Sequence, residues 1–473
     1  MRRTIPFGDR TLEVDLPERA IEIAPPAPLP ALADPDAAIR RALDEPVGHA
    51  PLADLVRPGM RVTVAFDDGC IPAFPVEEPD FRARALPIVL ETLEARGVGP
   101  RDVRLVCANA LHRRWTRGEM AAFLGPAIPL VWPPQRLFCH DAEDPDALVH
   151  LGETERGMEV VVNRLVVESD LLVYLNITPA PMNGGWKSVV VGLSDFRSIR
   201  HHHRPWPFAT GHSIMDPRRS AFQKLLAEMG AVLAEALETR GRPPVFTVEA
   251  AYTNEMPARL AAVHAGSIPG AHPRTLEVVE RQLVVPLERP VDIAVIGLPD
   301  RDPYSTGSIQ NPILAVYFGL TYAYGLHQGR PPVREGGALI LASPLRARFD
   351  DLRHPSYREF FDRVIPATRD PVEAWDLFVE DFWRRPEYVH AYRHGFGFHG
   401  THPFFMWNST LAARRHFGRL IFAGCEDPEV ARRLGFEAFA TVEAAVASAE
   451  ADYGRGCSIL RWTLPPPVLY RTG

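Results

Sequence analysis

The chain has 473 residues, which is too long for one ordinary hydrophobic core, so we expect two domains. Its hydrophobic content of 46% and charged content of 23% are ordinary for a globular protein, and no apolar run approaches the length of a membrane span. Lysine and arginine total 52 and aspartate and glutamate total 59, so the formal net charge is −7. That charge argues against a general nucleic-acid binder, which needs a basic face.

The first residues, MRRTIPFGDR, include two arginines but no apolar segment of the kind found in secretory signals. The five cysteines are widely scattered and form no C-x-x-C pattern. This distribution is typical of reduced thiols and gives no zinc motif. We therefore expect a cytoplasmic protein with neither a membrane nor a nucleic-acid partner.

The first half of the chain alternates short apolar runs with helical patterns, and polar residues follow each run. Strand, helix, strand, helix in this order is the doubly wound α/β pattern, in which ligands bind beyond the carboxyl ends of the strands. The predicted elements are a strand at residues 61–66, a helix at 81–96, a strand at 103–109, a helix that Thr116 and Glu119 open with a capping box, and a strand at 170–175.

Three of these strands lead into loops whose residues suit ligand binding. Asp68 follows the first strand, His112 follows the second, and the third leads into residues 184–187 (GGWK) and then 201–203 (HHH). Glycine lets the backbone approach a ligand closely, lysine can contact a phosphate or act as a nucleophile, and a neutral imidazole can bind a metal. A phosphate-binding P-loop is disfavoured, because Trp186 stands where that motif needs glycine.

The elements predicted after the histidines belong mostly to the same domain. A helix is expected from Asp216 to about Leu237, a strand at 245–252, an exposed histidine at His272, and a helix at 274–283. A new series of strands then begins at residue 291, and the second half of the chain repeats the alternation of strands and helices. The sequence therefore predicts two α/β domains with mainly parallel sheets, comprising residues 1–275 and 276–473.

The spacing around Lys187 carries a family resemblance. Residues 184–188 read GGWKS, Gly192 follows the lysine after five residues, and His203 follows it after sixteen. These positions resemble the lactate racemase family, the nickel-pincer nucleotide-dependent racemases and epimerases, which have a G-G-R-K-S segment with the same spacing. Residues 109–113 with Thr116 and Glu119 are similar to the family's histidine loop, and Asp68 with Pro72 is similar to its D-H-T-R-P loop.

The resemblance implies a cofactor and a role for each matching residue. The cofactor is the nickel-pincer nucleotide, pyridinium-3-thioamide-5-thiocarboxylic acid mononucleotide with bound nickel, lying in a cleft between the two domains. Lys187 would be catalytic and would form the covalent thioamide link to the cofactor, His203 would coordinate nickel, with His201 and His202 as alternatives, and His112 would act as a general acid/base. The residues implied to contact the cofactor or line its pocket are Asp68, Gly184, Gly185, Lys187, Tyr304, Gln310 and Trp407.

Several positions depart from the family pattern. Ile71 replaces the arginine of the D-H-T-R-P loop, Ile313 replaces a lysine that follows the pocket glutamine, and Trp186 replaces the arginine of G-G-R-K-S. The family's second catalytic histidine falls near Ile177 or Thr178. Lactate is therefore not the expected substrate, and a larger or less anionic secondary alcohol, such as a sugar acid, a longer hydroxy acid or a polyol, is favoured.

The implied function is racemisation or epimerisation of a 2-hydroxy acid or related secondary alcohol by reversible hydride transfer to the cofactor pyridinium. Each face of the substrate carbon needs a base for the hydroxyl proton. His112 is the candidate for one face, and without a second base the alternative is a one-sided reaction, such as an epimerisation with substrate rotation or a redox isomerisation. The candidates for the second base are Tyr174, Tyr304, His399 and His402.

Two other classes of function remain open from the sequence. A dehydrogenase that uses NAD is disfavoured, because no strand is followed by G-x-G-x-x-G. A non-catalytic protein that binds a small polar ligand is the other alternative, because a fold does not determine a function. The expected partners are the small-molecule substrate and the enzymes that synthesise the cofactor.

Overall fold

The structure, a computed structural model, describes residues 2–464 and 467–472. The chain divides into two compact units, each made of separated segments. The first unit comprises residues 27–202 and 223–282. The second unit comprises the segment that ends at residue 26, residues 203–222, and the segment from residue 283 onward. The predicted N-terminal domain, residues 1–275, includes two segments of this second unit, namely the one that ends at residue 26 and residues 203–222.

The strands and helices are numbered in chain order. The strands are β1 Arg2–Phe7, β2 Arg10–Asp15, β3 Ile21–Glu22, β4 Val62–Asp67, β5 Val103–Ala108, β6 Leu137–Cys139, β7 Leu148–Glu153, β8 Glu159–Asn163, β9 Leu171–Ile177, β10 Phe246–Tyr252, β11 Leu260–Ser267, β12 Val284–Leu287, β13 Val291–Gly297, β14 His327–Gly329, β15 Val333–Ala342, β16 Arg419–Ala423, β17 Glu437–Phe439, β18 Ile459–Trp462 and β19 Leu469–Thr472. The α-helices are α1 Pro35–Asp44, α2 Leu52–Leu55, α3 Phe81–Ala95, α4 Arg117–Leu124, α5 Ala127–Val131, α6 Leu165–Glu168, α7 Trp186–Val190, α8 Phe196–His203, α9 Ala221–Thr239, α10 Ile268–Leu283, α11 Pro312–Tyr317, α12 Tyr357–Glu359, α13 Ile365–Ala367, α14 Pro371–Arg384, α15 Pro386–His394, α16 His402–Asn408, α17 Leu411–His416, α18 Pro428–Arg433 and α19 Val442–Tyr453. Short 3-10 helices span Pro145–Ala147, Trp206–Phe208 and Pro303–Ser305, and π-helical turns span Phe318–Ala323 and Phe360–Val364.

A six-stranded sheet forms the centre of the first unit, in the order β11-β10-β9-β4-β5-β6. Its neighbouring strands are parallel except for the antiparallel pair of β10 and β11. Strands β4, β9 and β10 are buried at every position, which explains why they read as near-continuous apolar runs. The carboxyl ends of β9, β4 and β5 therefore meet at one edge of the sheet.

A second six-stranded sheet, in the order β17-β16-β15-β13-β18-β3, forms the centre of the second unit, and all of its strand pairs are parallel. The hairpin of β1 and β2 belongs to this unit because its apolar side chains pack into the core of that sheet. Ile5 and Phe7 contribute to one buried cluster with Ile293 and Ile340. The predicted α/β class with mainly parallel sheets is confirmed.

Local sequence signals account for some element boundaries and not for others. The capping box at Thr116 and Glu119 is present, and α4 begins at the next residue after Thr116. Helix α9 begins at Ala221 rather than at Asp216, whose carboxylate instead accepts N–H groups in a preceding turn. Among the residues that the structure describes, no helix is both long and apolar enough to cross a membrane.

A buried ion pair supports the carboxyl end of β4. Arg82, on α3, contacts both carboxylate oxygens of Asp80 at 2.9 Å, and the two side chains are only 2% and 5% exposed. The same guanidinium donates to the carbonyl oxygens of Asp67 at 2.8 Å and Asp68 at 2.6 Å. The pair therefore fixes the backbone at the point where β4 enters its loop.

Replacing Arg82 with glutamine should lower the free energy of unfolding by about 3–5 kcal/mol, because the Asp80 carboxylate stays buried without its cation. The matched control is Arg40→Gln, which breaks the pair with Glu91, whose two side chains are 53% and 60% exposed. That control should cost roughly 0–1 kcal/mol. Urea unfolding of both variants measures the difference, and equal losses would contradict a supporting role for Arg82.

Candidate functional site

Three neighbouring strands of the first unit bring polar side chains to the same level of the sheet. Asn176 of β9 is the register partner of Glu249 of β10. Leu175 of β9 is the register partner of Phe66 of β4, so Asp67, the residue after Phe66, lies level with Asn176. Register partners in a parallel sheet point to the same face. Asn176 Nδ2 accordingly donates to Glu249 Oε1 at 3.1 Å.

Asp67 is the last residue of β4, and its carboxylate is almost completely buried. Oδ1 accepts the Tyr174 hydroxyl at 3.1 Å and Oδ2 accepts the Ile177 N–H at 2.8 Å. Burial raises the pKa of Asp67 to about 6, although these hydrogen bonds and the charges of Arg82 and Lys187 act in the opposite direction. The carboxylate thus ties β4 to β9 directly below the loop that carries Lys187.

Asp68 and His112 form a carboxylate–histidine dyad. His112 Nδ1 lies 3.0 Å from Asp68 Oδ2, and the histidine side chain is 20% exposed. Burial alone raises the pKa of Asp68, but the charge and hydrogen bond of His112, with N–H donors from Trp115 and Cys70, lower it below its ordinary value. The carboxylate orients the imidazole, so that Nε2 is the atom suited to exchange a proton with a substrate.

Lys187 lies in the first turn of α7 and is half-buried. Loss of water around its amine lowers the pKa of Lys187, while the charges of Asp67 and Asp68 raise it and only partly compensate. A lowered pKa increases the fraction of neutral amine, which is the nucleophilic form. The structure therefore places the predicted lysine near Asp68, which contacts the predicted histidine His112.

The turn before Lys187 requires glycine. Gly184 and Gly185 have φ angles of 78° and 59°, and a Cβ on either would lie within 3.0 Å of the His272 ring. A Cβ on Gly192 would lie 2.3 Å from the Ser188 carbonyl oxygen. Close packing therefore requires glycine at Gly184, Gly185 and Gly192.

Trp186 is half-buried, and its ring packs against α9 at Gly230. A Cβ on Gly230 would lie 2.3 Å from the indole of Trp186. The residue that replaces the family arginine is therefore matched to a neighbour that leaves room for it.

A second carboxylate–histidine dyad, which the sequence did not predict, lies beside the glycine turn. Glu249 is fully buried, and its Oε2 lies 2.9 Å from His272 Nδ1 while its Oε1 accepts the Gly185 N–H at 3.2 Å. Burial raises the pKa of Glu249, but the charge and hydrogen bond of His272, with donors from Asn176 and Gly185, lower it overall. A single glutamate inside the buried strand FTVEAAY was the available signal, since buried carboxylates need a partner.

His272 itself differs from its predicted setting. Its side chain is 16% exposed rather than fully exposed, because residues 260–267 form β11 and α10 starts at Ile268, six residues earlier than expected. The antiparallel return of β11 carries the chain back along β10, and α10 then brings His272 to Glu249. No local sequence pattern in residues 260–272 predicts this reversal of chain direction.

The three consecutive histidines have different surroundings. His201 Nε2 accepts the Glu159 N–H at 3.2 Å, and His202 is fully buried. His203 ends α8, and its ring packs against Phe208, Phe222 and Phe405 of the second unit. Its assignment as the nickel ligand stays a prediction, as do the alternatives.

The remaining predicted contact residues lie in the second unit. Tyr304 is half-buried among the rings of Tyr317, Phe398 and His402. Trp407 has no exposed surface, and its indole N–H donates to a backbone carbonyl at 3.1 Å. A place for Trp407 at a ligand is thus not visible in this conformation.

Gln310 is half-buried, and its amide donates to Asp302 Oδ2 at 3.1 Å. It lines a small cavity of about 130 Å³ together with Arg346 and Arg348. Ile313, which stands at the position of the family lysine, is completely buried in α11.

The candidates for a second base are mostly engaged with other groups. The Tyr174 hydroxyl is buried against Asp67. His399 Nδ1 lies 2.8 Å from the Thr401 hydroxyl and His402 Nδ1 lies 2.5 Å from the Tyr357 hydroxyl, and both histidines are buried in the second unit.

A possible metal-binding group also includes the first dyad. Asp68, Cys70 and His112 each offer one ligand atom, and these atoms lie within 4.8 Å of one another. A mixed set of carboxylate, thiolate and imidazole suits Zn²⁺ or a similar ion. A metal bound there would compete with the contact between Asp68 and His112, so the two roles exclude each other.

Part of the chain matches a known protein family. Residues 7–212 match the family model for the lactate racemase N-terminal domain. Lactate racemase of Lactiplantibacillus plantarum is 26% identical over 170 residues, which are 35% of this chain and 37% of that protein. The matched segment thus spans little more than a third of the length of this curated relative. The chain is a homologue of lactate racemase.

Two solved structures share the fold of this homologue. The lactate racemase apoprotein from Thermoanaerobacterium thermosaccharolyticum has a TM-score of 0.69 at 19% identity, with 100% of both chains covered. A protein from Thermotoga maritima, solved by a structural genomics consortium, has a TM-score of 0.54 at 16% identity, with 93% of this chain and 97% of that chain covered. Identities this low establish the fold alone.

The state of Asp67 should make the stability of the homologue depend on pH. The pKa of about 6 in the folded protein exceeds the ordinary value of 3.8, so the folded state holds the proton more tightly. Stability is therefore highest below pH 4 with respect to this group and is lost as the pH rises through 6. At 1.36 kcal/mol per pKa unit, a shift of roughly two units corresponds to a loss of up to about 3 kcal/mol.

Asp67→Asn should abolish this loss, because the amide stays neutral throughout. Urea unfolding at several pH values between 4 and 7 measures the slope for the wild type and the variant. Asp146→Asn, at an exposed aspartate of the same unit, is the control and should keep the wild-type slope. Parallel slopes for Asp67→Asn and the wild type would contradict the raised pKa.

Lys187 should acetylate with an unusually low pH midpoint, because its pKa is lowered. The chain has only two lysines, and the other, Lys224, is exposed and serves as the internal reference. Competitive acetylation followed by peptide mass spectrometry should give a Lys187 midpoint below the usual value of about 10.4. Asp68→Asn should lower it further, because it removes a charge that favours the ammonium form, and an unshifted midpoint would contradict the assignment.

Proposed function

We propose that this lactate racemase homologue is a nickel-pincer nucleotide-dependent racemase or epimerase of 2-hydroxy acids or related secondary alcohols. The observation that carries the proposal is the arrangement at the carboxyl edge of the first sheet. There, a half-buried lysine with a lowered pKa lies near Asp68, and Asp68 orients His112. A nucleophilic amine beside a positioned acid/base is what covalent attachment of a cofactor and proton transfer from an alcohol require.

The residues present fit the cofactor. Lys187 offers an amine for attachment, and Asn183, just before the glycine turn, has a buried side-chain oxygen without a hydrogen-bond partner among the described residues. His203 offers an imidazole, which is a suitable ligand for nickel. When bound, the cofactor would supply a pyridinium that accepts a hydride from the substrate carbon and returns it.

The residues of the chain then have separate tasks. His112 Nε2 takes the hydroxyl proton of one enantiomer as the carbonyl forms. The Asp68 carboxylate stabilises the imidazolium produced in the first step. Asp67 and Arg82 hold the backbone and the charge balance beneath Lys187 without contacting the substrate.

The substrate class is a hydroxy acid larger than lactate or a small sugar acid. Ile71 and Ile313 remove two cations from the pattern of the family, which weakens recognition of a small carboxylate at those positions. Arg346, beside Gln310 in the second unit, is already ion-paired with Asp300 at 2.6 Å and Glu426 at 2.7 Å, so it does not replace those cations.

Loading of the cofactor tests the proposal. The protein co-expressed with the cofactor-synthesis enzymes should carry a nucleotide-sized adduct by intact mass and about one nickel per chain. Lys187→Ala should abolish the adduct because it removes the amine. Lys224→Ala, which removes the other lysine, should load like the wild type.

Purified loaded protein should then interconvert the enantiomers of 2-hydroxybutyrate, 2-hydroxyisocaproate or glycerate faster than those of lactate, as followed by chiral chromatography. Absence of adduct and nickel, under conditions in which a known lactate racemase loads normally, would refute the cofactor. That outcome would favour a non-catalytic protein that binds a small ligand.

A further inference from the structure

We propose that His272, positioned by Glu249, is the second acid/base of the reaction and serves the face of the substrate opposite to His112. This inference rests on the proposed function and deepens it. The observation behind it is that the first unit contains two carboxylate–histidine dyads, one on each side of β9, the strand that leads to Lys187. The dyads are Asp68–His112 and Glu249–His272.

The sheet order fixes this placement. Strands β10, β9 and β4 are consecutive neighbours, with Glu249 on β10 and Asp68 directly after β4. Strands in a sheet lie about 4.8 Å apart, so the backbones that carry the two carboxylates are separated by roughly 10 Å. Strand β9, which leads through the glycine turn to Lys187 of α7, lies between them.

His272 is also fixed against that loop by direct packing. A Cβ on Gly185 would lie 2.9 Å from His272 Nε2, and one on Gly184 would lie 3.0 Å from Cε1. The imidazole therefore borders the turn that ends two residues before Lys187. Thr178, near the position expected for the second histidine of the family, borders the same turn, since its hydroxyl would lie 2.5 Å from a Cβ on Gly184.

The orientation of the imidazole matches that of His112. In both dyads Nδ1 contacts the carboxylate, at 2.9 Å for His272 and 3.0 Å for His112. No residue in the described part of the chain forms a hydrogen bond with His272 Nε2. Because the carboxylate fixes the Nδ1–H tautomer, Nε2 is the atom that exchanges a proton.

The proton balance requires such a group. With the bound cofactor supplying the hydride acceptor, oxidation of the carbinol to a carbonyl compound would pass the hydroxyl proton to one histidine. Reduction from the opposite face would give the oxygen a proton from the other histidine, and the two imidazoles would then regain their starting protonation states by exchange with water. Each half-reaction therefore uses a different acid/base, and inversion needs both.

The dyad has a structural function that must be separated from the catalytic one. Glu249 also accepts the N–H of Gly185 and the amide of Asn176, so it helps to hold the glycine turn. A purely structural role predicts that removing His272 impairs both enantiomers alike or prevents cofactor attachment at Lys187. A catalytic role predicts a loss that depends on the enantiomer.

The test uses loaded wild-type protein and the loaded variants His272→Asn, His272→Gln and His112→Asn, with the separate enantiomers of 2-hydroxybutyrate, 2-hydroxyisocaproate and glycerate. Single turnovers are quenched with acid, and the 2-oxo acid formed is trapped with phenylhydrazine. Wild-type protein should form the 2-oxo acid from both enantiomers of a pair. Both His272 variants should form it from one enantiomer at close to the wild-type rate and from the other at least tenfold more slowly, and His112→Asn should show the opposite preference. Overall racemisation should fall at least tenfold in all three.

Two further readouts show that the variants are intact. The mass of the Lys187 adduct and the urea midpoint of the unloaded protein should stay close to those of the wild type. The matched control is His264→Asn, since His264 is the register partner of Glu249 on β11 and its Nδ1 contacts the Thr275 hydroxyl at 3.1 Å. This control should form the 2-oxo acid from the two enantiomers in the same ratio as the wild type.

Equal loss for both enantiomers in the His272 variants, with the adduct intact, would overturn the role of His272 and leave the proposed function standing. Loss of the adduct in both variants would also overturn it and would assign His272 to the turn. Failure of adduct-bearing wild-type protein to form 2-oxo acid from any of the six enantiomers would instead refute the proposed hydroxy-acid chemistry, and the inference with it.

Discussion

The carboxylate of Asp67 ends β4 almost completely out of water, and the neighbouring elements are arranged to satisfy it. Tyr174 and the Ile177 N–H contact it from β9, and Arg82 holds the carbonyl oxygen of the same residue from α3. Lys187 adds a positive charge from the first turn of α7. A single buried charge thus links two strands, one helix and the candidate nucleophile, so the position of Lys187 depends on contacts made below it.

Burial raises the pKa of both adjacent aspartates, but their different partners leave them with opposite net shifts. Asp67 has two hydrogen bonds and more distant cations, and its pKa rises to about 6. Asp68 directly contacts His112 and has N–H donors from Trp115 and Cys70, and its pKa falls. The direct partner therefore decides the sign: Asp68 remains a carboxylate that can stabilise an imidazolium, whereas Asp67 is poised to take up a proton near pH 6.

The sequence predicted the parts of this site that depend on neighbours along the chain. Short apolar runs indicated β4 and β5, the capping box marked the start of α4, and the residues that follow the strands pointed to Asp68, His112 and Lys187. The Glu249–His272 contact escaped prediction because it joins a strand to a helix across the reversal at β11. The place of the first 26 residues escaped it too, since Ile5 and Phe7 pack against strands nearly 300 residues away.

The substitutions relative to the family pattern are easier to understand as changes of packing than as losses. The indole of Trp186 packs directly against Gly230. Tryptophan in place of the family arginine therefore leaves no gap in the packing at this position. Thr178 brings a small hydroxyl against Gly184, and the His272 ring occupies the space beside the same turn. In the proposed reaction, His272 of α10 would supply an imidazole beside this turn, whereas the family pattern has its second histidine near Ile177 or Thr178. Two histidines oriented through Nδ1 by carboxylates would then give both directions of proton transfer the same chemistry.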